Sequence, residues 1–138
     1  KEDLSTVCKI AEDMGYDEIN INLGCPSKKV QKNKFGACLM QEPDLVAKCI
    51  EAMVKSTKLP VTIKTRIGYN EVENFEFLKS FIQTTKDAGS KEFIIHARKA
   101  LLKKLSPKEN LNIPPLKYEF DHQVLRDHLL LSKNAFLW

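Results

Sequence analysis

The side chains able to do chemistry in this sequence cluster at a few short stretches. Cys25 follows Asn22, Leu23 and Gly24 and precedes Pro26. A thiol in such a turn can serve as an acid, because free thiols ionise near ~8.5 and keep their proton at neutral pH. Taken alone, a cysteine there is more often a small packing residue. Lys64 and Arg66 share one stretch, and His96, Arg98 and Lys99 another. A lysine facing a cavity stabilises developing negative charge, and an imidazole donates or accepts a hydrogen bond. The bland alternatives are a solvated lysine and a histidine satisfied in the core. Two lysine-rich runs complete the set: Lys28, Lys29, Lys32 and Lys34, then Lys99, Lys103, Lys104 and Lys108. Such runs suit phosphate contacts, although a solvated loop is the commoner outcome for either one alone.

The elements that must position these groups are legible from periodicity. Leu4, Val7, Cys8, Ala11 and Met14 recur at helical spacing between Asp3, a candidate cap, and Gly15. Residues 18–23 alternate between Ile19, Ile21, Leu23 and Glu18, Asn20, Asn22, as a strand requires. Pro43 and Asp44 open a second helix, with Leu45, Val46, Cys49, Ile50, Met53 and Val54 along one stripe, and a strand over 60–67 follows. Asn74 caps a third helix with Phe75, Leu78, Phe81 and Ile82 buried, Gly89 ends it, and a strand over 92–98 follows. Strands alternating with helices predict β-α-β units and a parallel sheet. Asn22, Lys64, Arg66, His96 and Arg98 then fall at strand C-terminal ends, opposite the aliphatic face, where α/β barrels build active sites. Residues 101–117, with Pro107, Pro114 and Pro115, read as a long functional loop. A helix around Val124, Leu125 and Leu129 and an apolar tail complete the chain.

Four segments in order resemble the tRNA-dihydrouridine synthase family, and most of all its bacterial A-type subfamily: N-L-G-C-P-S at 22–27 with Phe35-Gly36-Ala37 after it, V-T-I-K-T-R-I-G at 61–68, F-I-I-H-A-R-K-A at 93–100 and L-S-P-K-E-N at 105–110. The resemblance covers about 1–119. It implies an eight-stranded (β/α)8 (TIM) barrel holding FMN, with NADPH as reductant and uridine in tRNA as substrate. Cys25 matches the family's proton donor, which protonates C5 of the uracil ring after hydride reaches C6. Lys64 and His96 match flavin contacts, Asn22 a contact to the uracil, Arg98 and Lys99 contacts to substrate or phosphate, and Lys108 a contact to tRNA. Leu111 departs from the pattern, since the family often carries a basic residue there. Cys8, Cys38 and Cys49 read as packing residues.

Composition sets outer limits. With 138 residues, 43% of them hydrophobic, the chain can form a core; a net charge of +4 is a mild basic excess rather than the field of a dedicated nucleic-acid-binding domain. The four cysteines have neither C-x-x-C pairing nor a histidine at ligand spacing, so no metal site or disulfide scaffold is expected, and reduced thiols in the cytoplasm are the simpler reading. No stretch suits a membrane span. Three strands supply less than half of an eight-stranded barrel. The reading is therefore of one incomplete catalytic-barrel fragment, with 120–138 as a divergent tail, inactive alone and prone to self-association through open barrel edges. The alternatives are another FMN-barrel oxidoreductase acting on free pyrimidines and a non-catalytic product that binds RNA.

Overall fold

The structure is a computed structural model that describes residues 2–129 and 136–137. Three helix–strand pairs run in sequence: α1 (Glu2–Asp13) to β1 (Ile19–Leu23), α3 (Pro43–Val54) to β2 (Val61–Arg66), and α4 (Phe75–Asp87) to β3 (Glu92–His96). All strands are parallel, in the order β1-β2-β3-β4, where β4 is the short strand Phe136–Leu137 beside Ile94 and Ile95. This strand was not anticipated within the apolar tail, whose residues 130–135 and 138 lie outside the described residues.

The register divides the sheet into two chemically distinct faces. Ile19 pairs with Val61, Ile21 with Ile63 and then Phe93, and Leu23 with Thr65 and then Ile95. That outer face packs on Val46, Ile50 and Met53 of α3 and on Leu78, Phe81 and Ile82 of α4 as one core. Helices cover it because its aliphatic side chains and the helical stripes can leave water only together. The inner face carries Asn20, Thr62 and Glu92 in one row, Asn22, Lys64 and Ile94 in the next, and Arg66 beside His96 at the top. Such a polar row suits a site better than it suits a core.

Local signals explain the boundaries. The Asn74 side chain accepts a hydrogen bond from the Phe77 amide at 2.8 Å, capping α4, and Pro43 opens α3 in its first turn. Asp3 lies inside α1 rather than at its cap. The segments read as loops contain three short helical pieces: α2 (Lys28–Lys32), a 3-10 turn over Gly36–Gln41, and α5 (Glu109–Asn112). They are too short for a hydrophobic period to announce them. Helix α6 (Tyr118–Leu129), anticipated around Val124, returns to α4. There Phe120 meets the Phe75 ring at 6.4 Å, and Val124 is buried.

Candidate active site

A cavity of about 790 Å³ opens at the C-terminal ends of the strands, lined by Asn22, Cys25, Lys64, Arg66, His96 and Lys108, among others. Five of the seven residues given a role by the family resemblance thus share one mouth, together with Arg66, which the strand alternation also places there.

The turn that carries Cys25 is tied down on both sides. The Asn22 Oδ1 accepts from the backbone amides of Gly24 and Cys25, each at 3.0 Å. This bonding identifies the oxygen and leaves the Asn22 amide nitrogen as the donating end. The Cys25 carbonyl in turn accepts from the Ala37 amide at 2.9 Å. That approach requires Gly36, with φ at +73°, since a side chain there would stand 2.5 Å from the Cys25 carbonyl oxygen. Gln31 donates to the carbonyls of Pro26 at 2.8 Å and Leu102 at 2.9 Å, so the two lysine-rich loops adjoin on one rim. Lys28, Lys29, Lys32, Lys34, Lys103 and Lys108 are exposed there.

Electrostatics define what the mouth prefers. The His96 imidazole is held down to a pKa of about 4, first by burial and then by Arg66, Arg98 and Lys64. At neutral pH it is an uncharged ring with one N–H to give, beside the ammonium of Lys64. Burial also lowers the pKa of the Arg66 guanidinium, although an arginine stays charged across the physiological range.

Two of the sequence-based residues are directed elsewhere. Regular strand ends at His96, so the alternation that would turn Arg98 inward no longer applies. The Arg98 guanidinium instead donates to the carbonyls of Asn112 and Pro114, while its buried Nε has no partner among the described residues. Lys99 pairs with Glu73 at 3.0 Å, and the same carboxylate oxygen takes Lys117 at 3.3 Å. Arg98 thereby fastens the loop 101–117 to the barrel end, Lys99 is linked to that loop only through the Glu73 carboxylate it shares with Lys117, and neither lines the cavity. Sequence reasoning left Asn110 without a role, yet it is fully buried and organises that loop. Its presence inside the L-S-P-K-E-N segment was the available signal. Among the described residues, no group of three or more His, Cys, Asp or Glu side chains could hold a metal ion.

Parallel strands with helices on one face and a polar mouth at the strand ends define part of a (β/α)8 barrel. The fold agrees with a crystal structure of a proposed phosphonomutase from Burkholderia cenocepacia J2315: the TM-score is 0.62, at 16% identity, covering 96% of this chain and 49% of that one. Residues 1–128 match the family described as dihydrouridine synthase (Dus), and the chain belongs to that family. The matched region runs past residue 120, where the sequence reading placed the start of a divergent tail. The chain is similar to the tRNA-dihydrouridine(20/20a) synthase of Pasteurella multocida (strain Pm70), at 56% identity over 96% of this chain and 41% of the relative. It is likewise 52% identical to the protein of that name from Synechocystis sp., over 96% and 40%, and 54% identical to that from Escherichia coli O6:H1, over 96% and 41%. The chain thus spans about two fifths of the length of these relatives.

Proposed function

We propose that this chain supplies part of the catalytic barrel of an enzyme that reduces uridine in tRNA to 5,6-dihydrouridine, with Cys25 as the acid. One observation carries the reading: Cys25, Asn22, Lys64 and His96, drawn from three strand ends, border a single cavity beneath a lysine-rich rim. The relatives' names point to uridines 20 and 20a as targets. NADPH is the reductant and the cytoplasm the compartment on this reading.

The inner face fits a flavin mononucleotide. Lys64 offers a cation and His96 a neutral donor on adjacent strands, beside the apolar wall of Ile94. When bound, FMN supplies hydride to the uracil ring. The chain's own residues do the rest. The Asn22 amide nitrogen, oriented by its oxygen's two backbone bonds, is free to donate to a uracil carbonyl. The Cys25 Sγ–H gives its proton to the ring carbon left electron-rich, and the thiolate is afterwards reprotonated from water. Lysines of the rim meet phosphates while the uridine leaves its stack. The unpaired edge of β1 and the apolar face of α1 support self-association when this chain stands alone.

The test begins with flavin titration of the 138-residue chain; NADPH-driven reduction of unmodified tRNA is then measured with this segment carried in the complete barrel of a relative, such as that from Escherichia coli O6:H1. Retained flavin binding with at least ~100-fold slower reduction in Cys25→Ala supports the assignment, that being the usual size of a general-acid contribution. Undiminished reduction by Cys25→Ala would overturn the role of Cys25. Turnover of free uracil without tRNA would favour another flavin oxidoreductase.

A further inference from the structure

The geometry points to Arg66 as the positioning residue that holds the Cys25 turn in register with the long connection after β3, across the mouth. The functional part of this inference rests on the reading of Cys25 as the acid.

An arginine on a cavity wall ordinarily meets an anion, yet Arg66 is only 3% exposed and its Nε and Nη1 are engaged by main-chain oxygens. Its Nε donates to the Gly24 carbonyl at 2.9 Å, and its Nη1 to the carbonyls of Asn110 at 3.0 Å and Lys99 at 3.2 Å. Gly24 belongs to the turn after β1, whereas Lys99 and Asn110 belong to two parts of the single connection between β3 and α6. Gly24 immediately precedes Cys25, Lys99 follows β3, and Asn110 lies in α5 close to the cavity residues Lys108 and Leu111. Burying a guanidinium is costly unless its donors find acceptors, and charge-assisted bonds to three carbonyls meet that cost.

Asn110 makes the far loop rigid enough to be worth holding. Its Oδ1 accepts from the Leu101 amide at 2.7 Å, and its Nδ2 donates to the carbonyls of Leu101 at 3.1 Å, Leu105 at 3.3 Å and Ser106 at 3.1 Å. Residues 101–110 thereby close on one buried amide, and Arg66 ties that unit to the Cys25 turn. A lysine could not replace this device, because an ammonium is a single point whereas the guanidinium spreads donors across a plane. The consequence concerns reach. A proton donor misplaced by about 1 Å can lose ~100-fold in rate, so Cys25 needs a fixed relation to the wall opposite it.

The test compares the wild-type 138-residue chain with Arg66→Lys and Asn110→Ala, by hydrogen exchange and by iodoacetamide alkylation with each cysteine resolved by peptide mapping. In Arg66→Lys, residues 23–27, 98–102 and 106–111 are expected to exchange faster together. Cys25 alkylation should rise roughly tenfold, the size of one lost charge-assisted bond. Cys49 and the amides of α3 and α4 should keep their wild-type rates. Asn110→Ala, with Arg66 intact, should loosen the same three segments. The inference fails if Cys25 keeps its wild-type alkylation rate in Arg66→Lys, if only one segment responds, or if α3 and α4 loosen equally. Flavin titration of the wild-type chain is read separately: its failure counts against the flavin reading and leaves the exchange comparison intact.

Discussion

His96 makes the sharpest residue-scale claim, because its environment fixes its charge. Burial together with Arg66, Arg98 and Lys64 lowers its pKa to about 4 from 6.5. Its imidazole resonances in NMR should therefore titrate near pH 4, with no inflection near 6.5; a midpoint near 6.5 would show that the ring is solvated and unopposed by these cations. The stability consequence has a definite sign. Above pH 6.5 the ring is neutral whether folded or unfolded and contributes no pH dependence. As pH falls from 6.5 toward about 4, the unfolded chain takes up a proton that the folded chain refuses, so the folded state loses stability. The loss should be about 1–2 kcal/mol after screening of this partly exposed group, and His96→Gln should remove it in urea titrations across that range.

At the scale of elements, two predictions concern how loops are held over strands. Gly36→Ala forces a left-handed backbone on a residue with a side chain and drives that side chain against the Cys25 carbonyl and Val30. The expected loss is about 2–4 kcal/mol in urea denaturation, accompanied by a change in Cys25 alkylation. Glu73→Gln removes the charge shared by Lys99 and Lys117, and should lower stability by about 1–2 kcal/mol, less so at high salt. Added salt that leaves the difference unaltered would refute the electrostatic account. The three main strands and long helices were legible because each buries one face, and burial writes a period of two or near 3.6 into the sequence. The inner residues Asn22, Lys64 and His96 were legible for the same reason. Arg98 and Lys99 were not, because regular pairing stops at His96 and the loop partners Pro114 and Glu73 obey no period. Arg66 and Asn110 bond mainly to carbonyls, which every residue carries, so side-chain spacing cannot reveal their partners.

For the whole molecule, the decisive feature is that the described sheet is open. Among the described residues β1 pairs only with β2, so its other side presents the backbone amides and carbonyls of Asn20 and Asn22, while the Ile19 amide bonds to the Pro60 carbonyl. Beside it runs a groove of about 470 Å³ lined by Leu4, Val7, Ile21, Phe35, Leu45 and Cys49, among others. Val7, Ile10 and Met14 along α1 are 56%, 51% and 67% exposed. A closed barrel hides both kinds of surface, since every strand then has two neighbours. Left open, an edge and an apolar groove together favour association between copies. Sedimentation velocity on the 138-residue chain should therefore show mass rising with concentration. Val7→Glu, which puts a charge into the groove at a residue more than half exposed, should shift the distribution toward monomer while leaving the circular dichroism spectrum unchanged. Wild-type chain that stays monomeric over a hundredfold concentration range would mean that the edge and groove are covered within one copy. Association unaffected by Val7→Glu would assign it to the β1 edge.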